Sequence, residues 1–118
     1  MGLQDACHVM LDTWPFSGGN TNYEAFAMGT PVVTLPANFM RGRVTMGQYL
    51  QMGFTDLIAS SGEKYIEKAL RVANDEEYRM HVRHTIYHSA RKHLYEDPTA
   101  PKEMAEFFER AWREADAA

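Results

Sequence analysis

The alternation of apolar and polar positions divides the chain into short pieces. Cys7-His8-Val9-Met10-Leu11 is a mostly apolar run ending at Asp12-Thr13, the pattern of a buried strand that runs into a loop. The period then changes. Tyr23, Phe26 and Ala27 fall at i, i+3 and i+4, which predicts a helix over 21–28, closed by Gly29 with Pro31 just beyond. Pro31-Val32-Val33-Thr34-Leu35-Pro36 predicts a second buried strand, fenced by prolines that suit strand ends. Residues 44–52 read as a short helix stopped by Gly53, and Leu57-Ile58-Ala59 as a third, very short strand.

Helical periodicity dominates from there on. Ser60 with Glu63, and Asn74 with Glu77, have capping-box spacing, so a helix should begin near each. The first would present Tyr65, Ile66, Ala69, Leu70 and Ala73 on one face, the second Tyr78, Val82, Ile86 and Ala90. Asp97-Pro98 breaks the pattern. From Pro101 a last helix carries Met104, Phe107, Phe108, Ala111 and Trp112 in one stripe, normally a core stripe at this spacing.

Strand, helix, strand, helix in this order implies βαβ units and a parallel sheet. Two or three strands are few for a sheet that buries both faces, and no element is expected before the first strand. The expected fold is therefore α/β: the C-terminal portion of a larger Rossmann-like domain, with two or three parallel strands followed by several helices and a helical tail over about 62–115. The missing strands would lie upstream or come from another chain.

Composition narrows the function classes. A chain of 118 residues is at most one domain, and with 45% hydrophobic and 24% charged residues it is not a disordered one. The net charge of −4 argues against a nucleic-acid partner, because Arg41/Arg43 and Arg91/Lys92 are too short to form a basic stripe. Cys7 is the single cysteine, and no stretch resembles a signal peptide or a membrane span. The expected setting is a reducing, cytoplasmic-type compartment with no membrane partner.

Candidate chemistry concentrates at Ser17-Gly18-Gly19-Asn20-Thr21-Asn22, between the first strand and the first helix. N–H groups at such a helix start, with the positive end of its dipole, favour an anion. Gly18 and Gly19 let backbone approach a phosphate, while Asn20, Thr21 and Asn22 add side-chain donors. Glu24, about one turn further, could accept from both hydroxyls of a ribose attached to that phosphate. The same residues also read as an ordinary capped helix with Asn20 as N-cap and Glu24 favourable in the first turn, and the pattern alone leaves both readings open. Arg43 follows the second strand at the carboxyl edge, where parallel sheets bind ligands, and reads equally as a surface arginine or a partner for Asp12. Asp12 itself could orient the loop. His81, His84 and His88 share one side of their helix at metal-like spacing, but that side lies opposite the apolar face and reads as solvated; His93 falls near the apolar face as a packing residue. There is no G-x-G-x-x-G, Walker loop, G-x-S-x-G elbow or H-E-x-x-H.

Three blocks taken together, Leu11-Asp12-Thr13, Phe16-x-Gly18-Gly19-Asn20-Thr21-x-x-Glu24-Ala25 and Met28-Gly29-Thr30-Pro31-Val32-Val33-Thr34-Leu35-Pro36, resemble the donor-site segment of the O-linked N-acetylglucosamine transferase (SPINDLY-like) family. The likeness continues through Arg41-Gly42-Arg43-Val44, Gly47, Met52-Gly53, Leu57-Ile58-Ala59 and Tyr65-x-x-x-Ala69. The Gly-Asn-Thr-Asn run is also similar to bacterial cytoplasmic N-glucosyltransferases. The resemblance implies a GT-B architecture, with the chain as its partial C-terminal nucleotide-sugar-binding domain. It implies UDP-N-acetylglucosamine or UDP-glucose as donor and no metal, with Gly19, Asn20 and Thr21 in the diphosphate turn and Glu24 on the ribose. Animal members usually carry His-Thr-Thr and Asp where this chain has Gly19-Asn20-Thr21 and Glu24, so side-chain contacts differ and backbone N–H groups would do more of the work.

The family's N-terminal half, its acceptor-binding repeats and its diphosphate-contacting lysine would all lie upstream. The implied function is therefore the donor-binding segment of a glycosyltransferase acting on protein side chains, inert alone, with its protein acceptor held by those upstream regions and its catalytic residues outside this chain. Two alternatives are a non-catalytic phosphate-binding or interaction module and a sugar-nucleotide epimerase fragment; the Phe-Met-Arg-Gly-Arg-Val segment favours the transferase. In GT-B proteins the last helix commonly crosses back to the N-terminal half, so part of its Met/Phe/Trp stripe would be left exposed here, and homo-oligomers through it or through the exposed sheet edge are expected.

Overall fold

A computed structural model of the chain describes residues 2–118. Helix α1 (Gly2–Ala6) leads to strand β1 (Met10–Leu11), α2 (Asn20–Ala27), strand β2 (Val32–Val33), a 3-10 turn at Met40–Gly42, and α3 (Val44–Met52). Then come α4 (Gly62–Asn74), α5 (Glu76–Ser89), a π-helical turn at Ala90–Leu94, and α6 (Thr99–Ala117). Strands β1 and β2 run parallel with Met10 opposite Val32 and Leu11 opposite Val33, so β1–α2–β2 is the expected βαβ unit.

The first strand is shorter than the apolar run suggests, because only Met10 and Leu11 find partners in β2. Residues 2–6 form a helix where no element was expected. The third strand shrinks to one parallel bridge between Thr34 and Ile58. Tyr49 explains the shrinkage. Its hydroxyl donates to the Val32 carbonyl at 2.6 Å and accepts from the Val32 N–H at 3.0 Å, occupying the place a neighbouring strand would take. Only beyond it does the pairing resume, with Thr34 N–H on the Leu57 carbonyl at 3.0 Å.

The core lies between the sheet and the helices. Phe26 of α2, Val32 and Val33 of β2, Tyr49 and Met52 of α3, Val72 of α4, and Val82 and Ile86 of α5 meet there with Phe54 and Leu57. Tyr49 stacks obliquely on Phe26 and Phe54, with ring centroids 5.0 and 5.5 Å apart. Gly53 closes α3 in the left-handed region at φ 75°, as the glycine stop predicts.

Both helix caps sit one residue later than the sequence spacing suggests. Ser61, not Ser60, accepts from Lys64 N–H at 3.2 Å, and Asp75, not Asn74, accepts from Tyr78 N–H at 3.0 Å. The α5 face is buried as expected, but α4 turns Tyr65, Ala69 and Val72 inward and leaves Ile66 and Leu70 exposed. The last helix starts at Thr99 rather than Pro101, because Asp97 Oδ1 accepts from Thr99 N–H at 2.9 Å and from its hydroxyl at 2.7 Å. Its whole length, including Phe107, Phe108 and Trp112, buries no residue. Of the two readings of the stripe, core or left exposed for self-association, the described residues show the exposed one.

Candidate functional site

The N-cap of α2 is Gly19, not Asn20, and no side chain caps it. The Gly19 carbonyl accepts from the N–H groups of Asn22 and Tyr23 at 3.1 and 3.3 Å. Among the described residues, the N–H groups of Gly19, Asn20 and Thr21 have no acceptor. Three consecutive donors at the positive end of a helix make a cradle of the kind that favours an anion. Access to it is open, since a Cβ built on Gly19 would meet nothing within 4 Å. Asn20 and Thr21 are exposed, and the Asn20 amide lies along the helix, donating to Glu24 Oε1 at 3.4 Å. The half-buried Glu24 is therefore tied to the first residue of the turn.

Beneath the cradle runs a buried polar network. Asp12, just past β1, takes the Gly18 N–H on Oδ1 at 2.8 Å and the hydroxyls of Thr34 and Thr45 on Oδ2 at 2.7 Å each. Its carbonyl accepts from the Tyr65 hydroxyl at 2.8 Å. Burial pushes the Tyr65 phenol above its ordinary range, and the Asp12 charge adds to the shift. Thr45 in turn accepts from the Asn22 amide at 2.6 Å; that amide also reaches Gln48 Oε1 at 3.3 Å, and Gln48 Nε2 reaches the Gly19 carbonyl at 3.4 Å. Ser17 joins the loop to α3: it donates from N–H and hydroxyl to the Arg41 carbonyl and accepts from Val44 N–H at 3.2 Å.

This arrangement sorts the sequence candidates. Gly19, Asn20 and Thr21 come together at the open helix end, with Glu24 one turn behind. Gly18 lies against the network, where its N–H is already taken by Asp12. Asn22 is buried with its amide turned inward, so it shapes the turn from below instead of offering a donor to a ligand. Arg43 stands at the start of α3 and spends Nη1 on the Ala37 carbonyl at 2.8 Å. The acceptor side of Asp12 is filled by hydroxyls and an amide, so the Arg43–Asp12 pairing is not formed.

Ser17 was read as part of the turn, whereas Thr45 and Gln48 escaped the sequence reading. Their signal was present: Thr45 and Gln48 are polar residues on the helix face that also carries Tyr49 and Met52. His81, His84 and His88 are exposed, as expected, and no cluster of potential metal ligands occurs among the described residues. His93 is exposed as well, a correction to its expected packing role; its carbonyl accepts from Gln51 at 2.9 Å. No helix among the described residues is long and apolar enough to cross a membrane.

The profile of glycosyl transferase family 41 matches residues 3–98. The chain belongs to this family. A UDP-N-acetylglucosamine–peptide N-acetylglucosaminyltransferase of Caenorhabditis elegans is 29% identical over 85 residues, which is 72% of this chain and 7% of that protein. The probable SPINDLY enzyme of Oryza sativa is 33% identical over 79 residues, covering 64% of this chain and 8% of the relative. A mutant O-GlcNAc transferase of Thermobaculum terrenum superposes with a TM-score of 0.87 at 32% identity, covering 99% of this chain and 23% of the other. The family 41 chain therefore spans a small part of the length of these relatives. Its α/β fold with parallel strands is that of the GT-B neighbour.

Proposed function

We propose that this chain is the donor-binding segment of a UDP-sugar-dependent glycosyltransferase that modifies protein side chains, and that it is inert without the rest of the catalytic domain. Family membership supports the reaction class. The observation that carries the donor assignment is the row of unpaired N–H groups at Gly19, Asn20 and Thr21, with Glu24 one turn behind them. The N–H groups would take the diphosphate and stabilise the charge of the leaving UDP, while Glu24 would accept from the ribose hydroxyls. No metal is needed for that scheme. The donor would be UDP-N-acetylglucosamine or UDP-glucose, the acceptor would be held by other regions of the parent, and the lone Cys7 suits a cytoplasmic-type compartment.

An NMR titration of the labelled chain with UDP tests this reading. Saturable shifts centred on residues 18–24, weakened in Glu24→Ala, are expected. A folded sample whose turn does not respond at millimolar UDP would overturn the donor assignment. Transfer of sugar to a peptide by the chain alone would overturn the claim that it is inert.

A further inference from the structure

The far end of α2 is held as firmly as its near end. Arg91 Nη2 donates to the Ala27 carbonyl at 3.1 Å and Arg83 Nη2 to the Met28 carbonyl at 3.2 Å. Tyr95 adds a hydroxyl to the Tyr23 carbonyl. Arg83 Nη1 also reaches the Cys7 carbonyl at 3.4 Å, so one guanidinium ties α2 to the segment before β1. Gly29, at φ 73°, brings the chain so close to α5 that a Cβ there would lie 2.9 Å from the Arg83 carbonyl. The Arg91 side chain is itself fixed: its guanidinium stacks on the Tyr87 ring at 3.4 Å, and Nη1 donates to the Tyr87 carbonyl at 3.1 Å.

We propose that Arg91, assisted by Arg83, is a positioning residue that fixes the C-terminal end of α2 so that its N-terminal N–H groups stay aimed at a bound diphosphate. This rests on the anion-binding reading of the Gly19–Thr21 turn. The helix has eight residues and is about 12 Å long, so neither arginine touches a ligand at the other end. They act through the helix. A cradle held in its bound geometry loses less freedom on binding than one that must be ordered. Arg91 and Arg83 come from α5 and its π-helical extension, so the α5 segment, remote in sequence from the turn, sets the turn's precision. A cation at the C-terminal carbonyls also stabilises the helix itself.

The test compares UDP binding by wild type, Arg91→Gln, Lys92→Gln and Asp75→Ala, reading both dissociation constant and thermal melting. Lys92→Gln removes the same charge one residue away, from an exposed side chain with no bond to α2 among the described residues. Asp75→Ala removes the α5 cap and lowers stability without touching α2. Arg91→Gln is expected to weaken UDP binding about three- to fivefold, to change the Gly19–Thr21 amide shifts, and to leave the chain folded. Lys92→Gln and Asp75→Ala should bind as wild type does. Equal weakening in Arg91→Gln and Lys92→Gln would reduce the effect to charge, and equal weakening in Asp75→Ala would reduce it to stability; either overturns the proposal. A wild-type chain that does not bind UDP removes the anion site and this role with it. Wild-type binding left unchanged by Arg91→Gln removes only the positioning role.

Discussion

Thr45 donates its hydroxyl to Asp12 Oδ2 at 2.7 Å, tying the first turn of α3 to the end of β1 beneath the open start of α2. The carboxylate takes two hydroxyls and one backbone N–H, so each of its contacts is a donor aimed at a negative group. Asp12 therefore serves as an internal anion that orients the loop above it, and the next three N–H groups stay unengaged by it.

Asp12→Asn should be costly. The amide keeps one acceptor oxygen but turns an NH₂ group toward donors, leaving a buried hydroxyl or the Gly18 N–H opposed. A loss of about 2–4 kcal/mol is expected, measured by urea unfolding. A variant as stable as wild type would show that the charge contributes nothing to the network.

Gly18 and Asn22 form a coupled pair. A Cβ on Gly18 would stand 2.8 Å from Asn22 Oδ1, and the Asn22 amide cannot swing away because Thr45 and Gln48 hold it. Gly18→Ala should cost about 1–3 kcal/mol. Asn22→Ala empties the clashing space, so the double variant should be more stable than the sum of single losses implies, by about 0.5–3 kcal/mol. Strict additivity in denaturant unfolding would mean that the methyl finds room elsewhere.

This pair also marks how far the sequence could be read. The helix over 44–52 was fully legible, because a short helical run ends at a glycine that takes φ 75°. The cap positions were legible only to within one residue. Ser60 and Ser61 adjoin, as do Asn74 and Asp75, so spacing to a glutamate selects the earlier residue while the backbone selects the one whose oxygen meets the N–H three ahead. The turn at Gly19–Thr21 was visible from local glycine and helix patterns. Asn22 looked like a surface donor because its burial depends on its bond to Thr45 of α3, a partner 23 residues away in sequence. The third, very short strand was legible at residues 57–59, but its reduction to a single bridge at Ile58 was not, since Tyr49 takes the place of a strand contact from a helix.

Alkaline pH should destabilise the chain, with Tyr49 the largest contributor. Its phenol is fully buried, and desolvation raises its pKa far above the ordinary value. The unfolded chain releases that proton near about pH 10, while the folded chain keeps it, so stability is fully present below that pH and falls as pH rises beyond it. Tyr49→Phe should flatten the decline in melting temperature above about pH 10. At neutral pH it should cost about 1–2 kcal/mol, because Val32 loses both a donor and an acceptor partner. An unchanged alkaline slope in Tyr49→Phe would assign the effect to the partly buried Tyr65, Tyr78 and Tyr95, whose pKa values are also raised by burial.

Removing α6 should leave the fold intact. The helix buries none of its residues, and the family match ends at residue 98, just before Thr99. Its stripe of Phe107, Phe108 and Trp112 is 51%, 61% and 73% exposed, an apolar face that water solvates poorly. A chain ending at Pro98 should melt within about 2–3 °C of the full chain, since almost no buried area is lost. It should also self-associate less in sedimentation at high concentration, because the deleted stripe offers the more extended apolar surface, whereas the two-residue β1 edge remains. A large drop in melting temperature would mean that α6 folds back on the body in solution. Unchanged association would move the contact from the helix to the sheet edge.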